Sequence, residues 1–326
     1  MMLESLDRKN PGSLEKPKSN LNRQRPSIAQ IEVATLLMNA KVLRKAGESQ
    51  LALNLLREAS NRESKNPIVL KALVELLEEC GRDAEVLKVR EALAKIDYGF
   101  ESVFGQAQAL YKTGDDDGAL NFYYEALSLI SSDNDSMLFE IHKNLGNIHV
   151  RRGDFDGAEE WYNKAHISHP ESDALMVNFG TLEVQRGDLG RSLQCFRRAV
   201  EINPKNDRAW AGLAMVHHEF GDFELAWGNI ERAIDHGPQN RTAVLLAGRW
   251  ALRDKCPQRA ISRLQEFVSG GEFDEEISLI LVNLFCLAGH LDLALLESER
   301  VLAWNPGQKE VRELCAKIRA AQETNQ

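Results

Sequence analysis

One glycine-centred interval leaves this chain few folds to choose from. Gly153, Gly187 and Gly221 stand 34 residues apart, each followed by an aspartate (Asp154, Asp188, Asp222), and Pro170, Pro204 and Pro238 keep the same interval. The frame makes residues 139–172, 173–206 and 207–240 align without a gap. Continued both ways it gives starts at Val33, Pro67, Phe100, Phe139, Asp173, Asp207, Arg241 and Glu275, spaced 34, 33, 39, 34, 34, 34 and 34 residues apart. Seven of these eight segments carry glycine at their fifteenth place, although only 22 of 326 residues are glycine. Such a period marks supersecondary units that cannot bury an apolar face alone and must stack on their neighbours.

Inside a segment, apolar residues recur at spacings of three and four, the pattern of amphipathic helices. The glycine can end a first helix in the left-handed conformation. The aspartate after it can cap a second helix, and the proline cannot continue one. Place 8 is small in most segments (Ala40, Ala107, Gly146, Gly180, Ala214, Gly248), and place 20 is Ala or Ser in seven of eight. Place 24 holds larger side chains: Leu56, Tyr123, Tyr162, Phe196, Ile230 and Leu264. Over roughly residues 33–308 this arrangement resembles the tetratricopeptide repeat family. The resemblance implies an all-α fold, a right-handed α-α superhelical solenoid of about eight tetratricopeptide repeats plus a C-terminal capping helix. The expected layout is a disordered arm at 1–27, the repeat array at 28–308, and the capping helix and tail at 309–326.

Three departures stand out. The third segment is five residues too long, which predicts an acidic, polar loop over 131–136. The second and third segments lack the terminal proline. The seventh has Lys255, Cys256 and Pro257 where Gly-Asp would stand, a local kink or simple sequence drift.

Arrays of this family hold partners along a concave surface lined by the first helix of each unit. Carried onto this sequence, that implies partner-binding residues Lys143, Asn144, Asn147, Arg151, Val177, Asn178, Thr181, Arg208, Met215, Leu245, Leu246, Arg249 and Arg253. A groove both basic and apolar suits a peptide segment bearing carboxylates beside hydrophobic anchors. Lys143, Asn147, Asn178 and Arg208 also match four places of the carboxylate clamp found in chaperone-binding members, while the fifth place is Gly212, without a cation. Lys41, Arg44 and Lys45 on one unit face Glu75, Glu78 and Glu79 on the next, a polarity able to orient a bound segment or merely to solvate two helices.

Charge and composition narrow the remaining classes. The net charge is -9, and residues 1–27 carry six Lys/Arg against three Asp/Glu, so the body is more acidic than the whole. That argues against nucleic acid as a partner. The most apolar stretch, 277–288, is too short for membrane insertion. Five widely spaced cysteines form neither a disulfide framework nor a metal motif, so a cytoplasmic location and no cofactor are expected. His142 and His149 fall at core places, the pairs His166/His169 and His217/His218 lack clustered ligands, and the glycines are consumed by turns. No enzyme activity is expected. The reading is therefore an adaptor or scaffold that binds another protein. Two alternatives stay open: a structural or assembly component acting through its convex face or as a homo-oligomer, with Phe122, Tyr123, Tyr124 and Trp161 as candidates, and a regulatory subunit for a small GTPase or kinase.

Overall fold

The recurrent glycines are where the first helices stop. In the structure, a computed structural model that describes residues 28–131, 134–271 and 273–324, Gly47, Gly81, Gly114, Gly153, Gly187, Gly221 and Gly289 all have φ between 66° and 83°. The next helix is then capped: Asp115, Asp154 and Asp188 accept the backbone N–H of Gly118, Gly157 and Arg191 at 3.0, 3.1 and 2.9 Å. Asp222 is the exception, with no side-chain cap bond and its carboxylate 3.5 Å from His217 Nδ1. The second helices stop at Ser168, Ile202 and His236, two residues before their prolines, because proline disfavours helical geometry in the residue preceding it.

Seventeen α-helices and no strand are found among the described residues, an all-α superhelical repeat fold. By internal contacts the chain separates into two units, divided between Ser102 and Val103. The first contains α1 (Ile28–Lys45), α2 (Ser49–Arg62), α3 (Pro67–Glu79) and α4 (Asp83–Ala94). The division falls within α5 (Phe100–Thr113). The second unit continues with α6 (Asp116–Leu129), α7 (Asp135–Arg151), α8 (Phe155–Ser168), α9 (Asp173–Arg186), α10 (Leu189–Ile202), α11 (Asp207–Glu219) and α12 (Phe223–His236). It ends with α13 (Arg241–Arg253), α14 (Ile261–Gly270), α15 (Glu275–Ala288), α16 (Leu291–Trp304) and α17 (Lys309–Thr324). No helix among the described residues is long and apolar enough to cross a membrane.

Small residues carry the packing. Ala52, Ala119, Ala158, Ser192, Ala226, Ala260 and Ala294, the small occupants of place 20, are fully buried where paired helices approach. Carboxylates at the start of three first helices fasten successive repeats: Asp173 accepts from Asn203 and Asn206, Asp207 from Asn240, and Glu275 from Asn305 and Gln308.

Two of the irregularities take a definite form. The predicted loop over 131–136 is shorter, because Asp135 and Ser136 already belong to α7, capped by Asn134 onto Met137 N–H at 3.3 Å. The five extra residues largely become an added helical turn, which makes α7 17 residues long. After α13, Lys255 itself takes the left-handed conformation (φ 52°), and a 3-10 turn at Pro257–Arg259 replaces the first turn of the next helix. At the C-terminal end, α17 buries Val311, Cys315 and Ile318 and exposes Glu310, Arg312, Lys317 and Arg319. The arm expected at 1–27 lies outside the described residues.

Candidate protein-binding groove

A groove of about 890 Å³ opens in the second unit along α9, α11 and α13. Its floor exists because two first helices have no side chain where Phe196 of α10 arrives. A Cβ at Gly180 would lie 2.7 Å from the Phe196 ring, and one at Gly212 would overlap that ring. The ring is thus clamped between α9 and α11, 2% exposed, and still forms part of the groove lining. Val177, Met215 and Leu246 add apolar wall, while Asn178, Thr181, Gln239 and Thr242 add polar groups.

Arg208 sits on this groove, exposed, and makes no hydrogen bond or ion pair among the described residues. Arg241 lines the same groove but is held by Asp274 and by Glu276 at 2.8 Å. Those two hydrogen bonds raise its guanidinium above the ordinary arginine value.

Of the residues implied by the sequence, Val177, Asn178, Thr181, Arg208, Met215 and Leu246 come together on this groove. Val177 is mostly buried and Thr181 Oγ1 is spent on the Val177 carbonyl at 2.9 Å, so Asn178, Arg208, Met215 and Leu246 remain its more available groups. Asn178 donates to Asn147 Oδ1 at 2.9 Å. That oxygen also accepts Tyr162 O–H at 2.7 Å, and Asn147 Nδ2 donates to Tyr111 at 3.0 Å. Asn147 is therefore a node joining α5, α7, α8 and α9, and the groove borders a polar network that holds it in place. Burial pushes the Tyr162 phenol above its ordinary range, which keeps it a neutral donor.

Asn144 corrects the sequence reading. It is 7% exposed and its amide Nδ2 donates to Tyr123 Oη at 2.9 Å, so it faces the core. Leu245 packs against the apolar core beside Leu246 and does not line the groove.

The cations correct it further. Lys143 is bonded to Glu140 at 2.7 Å and lies over the Phe139 ring. Arg151 pairs with Asp116 and stacks on Tyr111, with its guanidinium carbon 4.4 Å from the ring centroid. Arg249 pairs with Glu276, and Arg253 with Asp254 at 2.6 Å. Four of the five anticipated groove cations are thus neutralised within the chain, and the surface is less basic than its sequence implies. Such exposed pairs contribute only ~0–1 kcal/mol each, so an incoming carboxylate can displace a partner at small cost. The clamp geometry is incomplete for a steric reason: at Gly212 the space a cation's side chain would need is filled by Phe196.

In the first unit, Arg44 bridges to Glu75 at 2.8 Å and to Glu79, whose carboxyl its hydrogen bond holds below the ordinary value. That pairing joins the two charged faces of α1 and α3 and leaves Lys41 and Lys45 without a carboxylate partner among the described residues.

Sequence reading missed Phe196 and the 237–240 segment as lining, because it credited only first helices. The signal was present: an aromatic at place 24 opposite glycine at place 8.

Burial lowers His142, which packs 5.5 Å from Trp161, and His149 Nδ1 lies 2.7 Å from Asp154. Burial raises the Cys195, Cys256 and Cys286 thiols, which disfavours the reactive thiolate. No group of three or more His, Cys, Asp or Glu side chains among the described residues could hold a metal ion.

Two tetratricopeptide repeat profiles match the chain, over residues 177–227 and 144–164, the first spanning much of the groove. No curated protein matches the sequence. Among solved structures, yeast Tom70 superposes with a TM-score of 0.64 at 17% identity, covering 94% of this chain and 66% of that one. The structure of the APC/C hetero-tetramer Cut9–Hcn1 gives 0.56 at 17%, covering 74% and 47%. PilW, described as a type IV pilus biogenesis factor, gives 0.52 at 18%, covering 66% and 97%. At these identities the likeness is one of fold.

Proposed function

Since this chain is a tetratricopeptide repeat protein, we propose that it acts as an adaptor or scaffold, holding an extended segment of another protein in the groove along α9, α11 and α13. The observation that carries the reading is Arg208, an exposed cation without a partner among the described residues, beside an aromatic floor and the apolar Met215 and Leu246. An unpaired guanidinium can grip one carboxylate in two-point fashion, and the neighbouring apolar wall takes a hydrophobic side chain of the same segment. Asn178 and Gln239 offer amide groups to the segment's backbone. The favoured ligand carries one acidic residue next to an apolar one. Lys143 and Arg151 support it from the side, through pairs that a second carboxylate can replace, and Asn147 holds the polar network beneath. Leu245, Arg249 and Arg253 stand at the margin of this reading.

Absence of catalysis and residence in the reducing cytoplasm belong to the same proposal. All five cysteines are free thiols, and His142 packs against Trp161.

Affinity-capture mass spectrometry with wild type, Arg208→Ala and Lys143→Ala as parallel baits tests the reading. The Arg208 variant is expected to lose partners that the Lys143 variant largely keeps, with unchanged melting in both. Full retention by the Arg208 variant rejects the groove as the working surface. A second reading, assembly through self-association, draws on Tyr124, which is exposed and packs 5.9 Å from Trp161. Sedimentation of a strict monomer at high concentration removes it.

A further inference from the structure

The first helix of the array exposes a face that its counterparts cover. Places 3 and 10 of a first helix are Val69 and Leu76 in α3, Leu175 and Leu182 in α9, and Ile277 and Leu284 in α15, all 0% exposed. In each case the preceding helix packs there: Ala59 of α2 clusters with Val69, Tyr162 and Ala165 of α8 with Leu175, and Leu264 and Phe267 of α14 with Ile277. In α1 the same places are Thr35 and Val42. Both are exposed, and with Ile31 and Met38 they form a stripe at helical spacing, Val42 being 58% and Met38 69% exposed.

Val33 and Ala40, on the opposite side of α1, are buried in the first unit. The helix is thus apolar on two faces, one of them open. The C-terminal helix α17 differs, since its outer face is charged. Solenoids need a polar outer face at each end to stay soluble, and among the described residues this face of α1 is largely apolar.

We propose that this face of α1 is a docking surface for an amphipathic helix of a partner protein, one with an acidic flank. The shape follows from the repeat frame, since helices already cover the equivalent places elsewhere in the fold. The charge follows from the two lysines beside the stripe. Lys41 and Lys45 are exposed and have no carboxylate partner among the described residues, while Arg44, turned to the other side, is fully engaged by Glu75 and Glu79. A helix with acidic residues along one edge of its apolar stripe meets both features at once. This surface shares no residue with the groove on α9, α11 and α13.

The test uses the full chain and a fluorescein-labelled synthetic amphipathic helix of about 18 residues, since shorter isolated helices are marginal in water. One version carries glutamates along the flank of its leucine stripe and its twin carries lysines. Fluorescence anisotropy is expected to show the acidic helix binding roughly tenfold tighter than the basic twin, with the preference reversed by Lys41→Glu/Lys45→Glu. Met38→Asp, at a well exposed position that leaves the fold intact, is expected to abolish binding of either helix. Equal or absent binding of the two helices, or binding unchanged by Met38→Asp, overturns the proposal. A dimer that Met38→Asp dissociates in sedimentation overturns it in favour of a second copy. Binding that appears only after deletion of residues 1–27 overturns it in favour of the chain covering its own face.

Discussion

The turns after α9 and α13 make the same connection with different chemistry. After α9, Gly187 takes the left-handed conformation at φ 83°, Asp188 caps the next helix, and α10 runs 14 residues. After α13, Lys255 is forced into that conformation at φ 52°, a 3-10 turn follows Pro257, and α14 is reduced to 10 residues. Yet Ala260 and Leu264 are buried at least as completely as Ser192 and Phe196, their counterparts two repeats earlier. The buried places are fixed by packing, whereas the turn tolerates substitution so long as the chain still reverses. What changes is the reach of the side chain at place 24. Phe196 extends between Gly180 and Gly212 to floor the groove, while Leu264 only meets Gly248 beside Ile280.

Removing those two side chains is the strongest way to break the comparison. Phe196→Ala is expected to cost ~3–5 kcal/mol and Leu264→Ala ~2–5 kcal/mol in chemical denaturation. Only the first should also lose groove partners in the affinity-capture assay. A matching effect of Leu264→Ala on binding would show that the groove extends beyond α9, α11 and α13.

Next in size is the glycine beneath the ring. Gly212→Ala places a Cβ inside the Phe196 ring and is expected to destabilise by about 1–3 kcal/mol, with Phe196→Leu as a second change restoring much of the loss. Failure of that rescue would mean that the two helices, rather than the ring, set the spacing.

The turns themselves sharpen the contrast in opposite directions. Gly187→Ala is expected to cost about 1–2 kcal/mol, because a side chain is strained at that φ. Lys255→Gly relieves the same strain and should gain up to about 1 kcal/mol, read as a higher melting temperature. A loss on Lys255→Gly would show that its side chain stabilises the irregular turn.

The smallest effect separates two anchoring carboxylates. At Asp173, burial alone would raise the carboxyl, but hydrogen bonds from Asn206 and Asn203 bring it below its ordinary value of 3.8. At Asp274 burial again opposes, and the hydrogen bond from Arg241 together with the Ile277 N–H prevails. A carboxyl lowered in the folded state adds stability that is complete above pH 3.8 and is lost as pH falls through its folded value. Acid titration should show both losses below about pH 4. Added salt should weaken only the Asp274 contribution, since Asp173 is held by neutral amides. Equal salt sensitivity in Asp173→Asn and Asp274→Asn variants would erase the distinction.

The repeat frame was legible because glycine, aspartate and proline act locally, through φ, capping and the missing N–H. The groove was legible in outline: the repeat register brought Val177, Asn178, Arg208, Met215 and Leu246 to one surface. Its charge was not. Arg151 meets Asp116 and Arg44 meets Glu79, each 35 residues away in the sequence, so these pairs depend on how one helix lies beside the next. Asn144 escaped for a related reason: whether a polar residue at the edge of a helical face points outward depends on what it can bond to, here Tyr123.

The sequence by itself therefore determined the period, the all-α class and the residues that turn the chain, since each follows from short-range backbone chemistry and helical spacing. Only the tertiary structure decided which cations stay free, that Phe196 floors the groove, and that α1 keeps an open apolar face. Those outcomes depend on which side chains the stacked helices bring within bonding distance, a relation between segments that no single segment encodes.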